Sequence, residues 1–152
     1  MAVALGRKIP DFEIETTGAA FRAGEMTGPL VLYFYPKDHT PGCTTESEGF
    51  RDAHAALRRA KATVLGVSRD TLASHARFRA ALDLPFHLGS DADEALCEAF
   101  GVIKLKNLYG RQVRGIERST FVIGADRTLL REWRGVKVPG HVDEVLAFVK
   151  SL

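Results

Sequence analysis

The sequence predicts an α/β fold, a central mixed sheet flanked by helices, and three observations carry that expectation. Leu30-Val-Leu-Tyr-Phe-Tyr35 is a short unbroken apolar run, β-branched and aromatic, which suits a strand buried on both faces. From Pro41 to about Ala60, Phe50, Ala53, Leu57 and Ala60 recur at spacings of three and four, the mark of an amphipathic helix. Thr63-Val-Leu-Gly-Val-Ser68 is a second short apolar strand. Strand, helix and strand in so short a length make a βαβ unit, which forces parallel pairing and a right-handed crossover.

The other elements follow in order. Asp11-Phe-Glu-Ile-Glu-Thr16 alternates polar and apolar residues like a half-exposed strand, and a turn near Gly18 returns through Phe21. Pro36 ends the central strand, and a polar loop leads into the first helix. A second helix covers Thr71 to Leu82, started by Asp70, and Pro85-Phe-His-Leu88 is a short strand. Asp91 and Glu94 form a D-x-x-E capping pattern for a helix carrying Leu96, Cys97 and Phe100, which Gly101 stops. From Val102 to Gly115 the pattern is weak and reads mostly as loop. Ser119-Thr-Phe-Val-Ile123 and Leu129-Leu-Arg-Glu-Trp133 flank the Gly124-Ala-Asp-Arg turn as a hairpin. A final helix from about Gly140 places Val142, Val145, Leu146, Val149 and Leu152 on one face. βαβ followed by ββα is a thioredoxin-like order. With no repeat, low-complexity tract or linker, residues 1–152 read as a single domain.

Composition excludes several classes. A formal charge of +2 is too small to imply a nucleic-acid partner. Arg58-Arg59-Ala60-Lys61 reads as a solvated helix end. No apolar run approaches the ~20 residues that span a bilayer. The start, Met1 to Pro10, puts its charge after a short apolar stretch and lacks a signal-peptide layout, so a cytoplasmic protein is expected. Two cysteines, Cys43 and Cys97, are too few for a secreted disulfide scaffold. The five histidines and two cysteines form neither H-x-x-x-H nor C-x-x-C, so no metal or other cofactor is expected.

The chemistry concentrates in Tyr35-Pro-Lys-Asp-His-Thr-Pro-Gly-Cys-Thr-Thr-Glu46. Thr40 suits the N-cap and Pro41 the first helical position, where its missing N–H needs no partner. Cys43 then falls third in the helix, near unsatisfied N–H groups and the positive end of the helix dipole, both of which favour thiolate over thiol. A free cysteine titrates near ~8.5, and such surroundings lower that value to roughly 3.5–7.5. The position also follows a buried central strand, where ligands bind in open α/β sheets. A small, inert buried thiol is the competing reading.

Pro36-x-x-x-Thr40-x-x-Cys43 resembles the active-site pattern of the peroxiredoxins, and the longer string resembles their bacterioferritin comigratory, or Q-type, branch. The likeness spans nearly the whole chain, including Leu65-Gly-Val-Ser-Arg-Asp70, Leu96-Cys-Glu-Ala-Phe-Gly-Val102, Asn107-Leu-Tyr-Gly110 and Gly115-Ile-Glu-Arg-Ser-Thr-Phe121. The resemblance implies a thiol-dependent peroxidase with Cys43 as the attacking cysteine, oxidised to sulfenic acid. Thr40 would hydrogen-bond the peroxide, and Arg118 would stabilise the thiolate and the developing charge. Pro36 would shield the pocket, and Glu46 would orient the arginine.

The chain departs from its relatives in the second half of the cycle. Glu48 and Arg79 occupy the two positions where relatives carry a resolving cysteine. Cys97 shares an apolar face with Leu96 and Phe100 and reads first as a core thiol; an unusual resolving cysteine or an intermolecular Cys43 disulfide are the alternatives. The expected cycle uses one cysteine and an external reductant: thioredoxin, glutaredoxin with glutathione, or another thiol. The substrates would be hydrogen peroxide and organic hydroperoxides, and the protein a monomer or weak homodimer. A disulfide oxidoreductase fails on the missing C-x-x-C, while a non-turnover redox sensor or holdase chaperone stays open. His39 reads as a loop residue able to tune Cys43, and His54, His75, His87 and His141 show no shared pattern. Tyr33 and Tyr35 read as strand residues, and Trp133 as packing under the last helix.

Overall fold

The computed structural model describes residues 3–152, so Met1 and Ala2 of the stretch read for a targeting signal lie outside the described residues. In chain order the elements are β1 (Glu13–Ile14), β2 (Phe21–Arg22), a 3-10 turn (Ala23–Glu25), β3 (Leu30–Phe34), α1 (Pro41–Arg59), β4 (Thr63–Ser68), α2 (Leu72–Leu82), β5 (His87–Ser90), α3 (Ala95–Ala99), β6 (Ile103–Leu108), β7 (Arg111–Ile116), β8 (Ser119–Ile123), β9 (Leu129–Arg134) and α4 (His141–Lys150).

β3 is buried at every position and lies in the middle of a five-stranded sheet of order β5-β4-β3-β8-β9. β4 runs parallel to β3 and β5, while β8 runs antiparallel to β3 and β9, which gives the expected mixed sheet. Successive side chains of a strand point to opposite faces. Leu30, Leu32 and Phe34 therefore enter one core, with Ile9, Ile14, Leu96, Cys97 and Phe100. Val31, Tyr33 and Tyr35 enter the other, with Phe50 and Leu57 of α1, Phe78 of α2, and Val145 and Val149 of α4. In the middle of β4, a Cβ on Gly66 would lie 2.7 Å from Tyr33 Cζ, so glycine there makes room for the ring.

The largest correction concerns residues 103–116. The expected loop is the antiparallel hairpin β6–β7, which turns through Tyr109 and Gly110 at φ 51° and 76°. Two consecutive left-handed residues match the twist of paired strands. Leu105, Leu108, Tyr109 and Val113 are exposed, and only Ile116 of the two strands is fully buried. Alternation signals a buried face; this hairpin has none, so the sequence carried no such signal.

Helix starts also differ. α2 is capped by Thr71, whose Oγ1 accepts from the Ser74 N–H at 3.1 Å; Asp70 instead accepts the Ser68 hydroxyl and the Asp38 N–H. α3 is only Ala95–Ala99, with Phe100 as its C-cap. Asp91 accepts from the N–H groups of Leu96 and Cys97, but Glu94 adopts φ 63° and pairs with Arg69 and Arg114, so no reciprocal capping box forms. Gly101, at φ 66°, follows the helix as expected.

Smaller shifts have the same local origin. The first strand shortens to Glu13–Ile14, and Thr16 makes only an isolated bridge to Gly89. β5 moves to His87–Ser90 because Gly89 and Ser90 pair with Val67 and Ser68. α1 stops at Arg59, with Ala60 as its C-cap. α4 stops at Lys150, leaving Leu152 exposed and off the helical face. Among the described residues no helix is long and apolar enough to cross a membrane.

Candidate active site

β3 ends at Phe34, Pro36 follows half-buried, and residues 36–40 form the loop into α1. Thr40 sits at the N-cap in extended geometry, Pro41 begins the helix and Cys43 is its third residue. The expected cap bond is absent: the Thr40 hydroxyl donates to the Lys37 carbonyl at 2.8 Å. The turn at Asp38 and His39 brings that carbonyl into reach, and the hydroxyl oxygen keeps its lone pairs. His39 is exposed at φ 64°, with its ring 5.2 Å from that of Phe78.

The Cys43 side chain is almost enclosed, at 1% exposure. Arg118 Nη2 donates to its sulfur at 3.5 Å although 75 positions separate them. Sheet register explains the meeting. Ser119 pairs with Phe34 across β3 and β8, so the residue preceding Ser119 arrives at the end of β3 where α1 starts. Arg118 Nη1 donates to Glu46 Oε1 at 2.7 Å. Cys43 and Glu46 stand three apart on α1 and share a helix face, so one guanidinium fork bridges both. A Cβ on Gly42 would lie 3.0 Å from Arg118 Nη2, so Gly42 lets the guanidinium lie across the first turn. Its role was invisible in the sequence because the close approach comes from a distant strand.

Glu46 is fully buried, and its Oε2 has no hydrogen-bond partner among the described residues. Burial pushes its pKa up to about 7, outweighing the stabilisation that Arg118 provides. Burial opposes the charge on Arg118, but Glu46 and then Cys43 favour it, and its pKa rises. A second cation, Lys106 of β6, donates to the Ile116 carbonyl at 2.5 Å; burial and then Arg118 lower its pKa.

The other sequence candidates lie apart from this cluster. Cys97 is fully buried in the core on the opposite face of the sheet, and burial, with the Asp91 carboxylate, raises its pKa far above the ordinary thiol value. Both cysteines are free. At the two positions where the resemblance leads one to expect a resolving cysteine, Glu48 lies 3.8 Å from Arg51, and Arg79 donates to the Phe86 carbonyl at 2.9 Å. Trp133 packs on Phe148 of α4 and on His141.

The tyrosines do more than fill the strand. Tyr33 shares a hydrogen bond of 2.9 Å with Ser47, and Tyr35 donates to Asp38 at 2.6 Å. Burial raises both pKa values well above the ordinary phenol value. His141 lies 2.7 Å from Thr120 Oγ1, and burial lowers its pKa to about 4. An open groove of about 900 Å³ runs between α1 and α4, from Pro41 and Gly42 past Ala53 to Val142 and Leu146.

The AhpC/TSA family model matches residues 5–131. The chain is 55% identical over 122 residues to the peroxiredoxin Bcp of Xanthomonas campestris, covering 80% of this chain and 76% of that protein. It is 44% identical to the peroxiredoxin Bcp of Bacillus subtilis, covering 100% and 98%. A solved structure of the X. campestris bacterioferritin comigratory protein, described for its alkyl peroxide reduction activity, superposes with a TM-score of 0.87 at 47% identity, over 92% of this chain and 90% of that one.

Proposed function

The chain belongs to the AhpC/TSA family, as a peroxiredoxin of the Bcp or Q type, and from that premise we propose that Cys43 reduces hydrogen peroxide and organic hydroperoxides in a one-cysteine cycle completed by an external thiol. The observation that carries this reading is the Arg118 fork, with one nitrogen on Cys43 Sγ and the other on Glu46. A fixed cation at the sulfur favours negative charge there and needs no reorganisation when charge moves onto the peroxide.

In the first step the Cys43 thiolate attacks the terminal peroxide oxygen. The S–O bond forms as the O–O bond breaks, sulfur loses two electrons, and the departing hydroxide or alkoxide takes up a proton. Arg118 stabilises the charge on the departing oxygen. The Thr40 oxygen, already donating to Lys37, accepts the proton of the bound hydroperoxide and sets its orientation. Pro36 shields one side, and Glu46 fixes the guanidinium plane. The alkyl peroxide activity described for the X. campestris relative supports organic substrates, and the groove beginning at Gly42 offers an apolar path for their tails.

In the second step an external thiol attacks the sulfenic acid and water leaves, and a second thiol then releases Cys43. The placement of Cys97 in the far core, and the charged side chains at positions 48 and 79, favour this cycle over an internal disulfide. The test is steady-state peroxide consumption with thioredoxin, glutaredoxin plus glutathione, or dithiothreitol. Sustained turnover with one of them, lost in Cys43→Ser, supports the reading. Oxidation that stops after one equivalent under all three would replace it with a redox sensor.

A further inference from the structure

The loop that carries Pro36 and Thr40 has one buried residue, Asp38. Its carboxylate collects three donors: the Tyr35 hydroxyl at 2.6 Å on Oδ1, and the Ser74 hydroxyl at 2.8 Å and His75 Nδ1 at 2.7 Å on Oδ2. Its backbone N–H donates to Asp70 Oδ2 at 3.0 Å, which also accepts the Ser68 hydroxyl. The His75 side chain is 0% exposed and that of Asp38 1%.

The protonation state follows from the partners. His75 Nε2 lies 2.9 Å from the Gly89 carbonyl, which can only accept, so Nε2 carries a proton. Nδ1 faces Asp38 Oδ2, and the same carboxylate accepts from the Tyr35 and Ser74 hydroxyls, an arrangement that favours its ionised form. An ionised carboxylate also only accepts, so Nδ1 carries a proton too. Ligand atoms of Asp38, Asp70 and His75 lie within 4.8 Å of one another, a spacing that would suit a small cation. With both ring nitrogens donating, the imidazolium is itself the cation there.

We propose that Asp38 and His75 form a buried carboxylate–imidazolium pair that positions the 36–40 loop for peroxide reaction at Cys43. Through this pair the loop is tied to α2 at Ser74 and His75, to β5 at Gly89 and to the end of β4 at Ser68 and Asp70. The next residue, His39, is a non-glycine held at φ 64°, a conformation that persists only where its surroundings impose it. Thr40 follows immediately, so the pair fixes where its hydroxyl sits before peroxide arrives. Neither residue touches substrate; both act through Thr40.

The inference rests on the peroxidase reading for its kinetic arm, and its spectroscopic arm is independent. In ¹⁵N-histidine NMR at neutral pH, both ring nitrogens of His75, assigned by their loss in His75→Gln, should carry protons. Asp38→Asn and His75→Gln should slow oxidation of Cys43 by hydrogen peroxide on the order of a hundredfold, the cost of a ~1 Å misplacement. Alkylation of Cys43 by iodoacetamide, which needs no Thr40, should keep its rate. Tyr35→Phe, which spares the ion pair, should keep both rates. A single proton on the His75 ring, or equal losses of oxidation and alkylation in the two variants, would overturn the proposal. Wild type that does not react with peroxide would instead overturn the peroxidase reading.

Discussion

Cys97 and Cys43 lie on opposite faces of the central sheet. Cys97 belongs to the core that Leu32 and Phe34 enter, and Cys43 to the core of Tyr33 and Tyr35. A disulfide needs Cα atoms within about 7 Å, so joining them would require a helix to leave its packing. Cys97→Ser is therefore expected to keep peroxide turnover with an external thiol, and wild type should show no loss of two mass units after one equivalent of peroxide. The same variant puts a hydroxyl beside the Asp91 carboxylate, which can accept from it, so stability read by urea unfolding should change by no more than about 1 kcal/mol. A two-unit mass loss that disappears in Cys97→Ser would sink the one-cysteine cycle.

Arg118→Ala removes the donor at the Cys43 sulfur and leaves Glu46 buried without its partner. The rate of Cys43 oxidation, read by stopped-flow fluorescence, should fall by about 10²–10³, the usual cost of losing one such donor. Arg118→Lys keeps the charge but not the two-pronged geometry, so its rate should lie between those of wild type and Arg118→Ala. A lysine variant as fast as wild type would show that charge alone suffices.

Thr40→Val tests the hydroxyl separately from the helix cap. The hydroxyl makes no cap bond, so stability should change by less than the ~1 kcal/mol typical of a lost cap. The peroxide rate should nevertheless drop by about two orders of magnitude, comparable to losing an oriented catalytic hydrogen bond. A stability loss without a rate loss would reverse these assignments.

Glu46 and His141 should give opposing pH slopes. The folded pKa of Glu46, about 7, lies above its ordinary value of 4.5. Between those values the folded chain holds a proton that the unfolded chain has released, so stability falls as pH rises. The folded pKa of His141, about 4, lies below 6.5. Between those values the unfolded chain holds the proton, so stability rises with pH. Each effect integrates to about 3 kcal/mol at 1.36 kcal/mol per unit, and the windows overlap. Wild-type stability by denaturant unfolding should be nearly flat from about pH 4.5 to 6.5, whereas Glu46→Gln should gain stability with pH across that range. Parallel curves for the two proteins would exclude the Glu46 assignment.

Legibility in the sequence followed the range of each interaction. The central strand, α1, α4 and the β8–β9 hairpin could be read because burial imprints a period on the chain. The β6–β7 hairpin could not, because most of its side chains face outward and leave no apolar period; backbone pairing, the buried Ile116 and the ion pairs of Arg114 hold it. Within the site, Pro36, Thr40, Cys43 and Glu46 lie within eleven positions and share a readable motif. Arg118 was found through resemblance alone, since an arginine before a strand carries no mark of where its guanidinium goes. His75 gave no signal, because its partners Asp38 and Gly89 come from separate parts of the chain.

Thr40, Pro41 and the apolar spacing are enough to place Cys43 third in a helix that follows a buried strand, because these signals act within a turn or two. Tertiary structure decided what surrounds that sulfur. The Phe34–Ser119 register brings Arg118 to it, Gly42 leaves room for the guanidinium, and the sheet separates Cys97 from it. The Asp38–His75 pair ties the preceding loop to α2 and β5. Each of these depends on contacts between segments distant in sequence, and only the packing of the sheet and its helices brings those segments together.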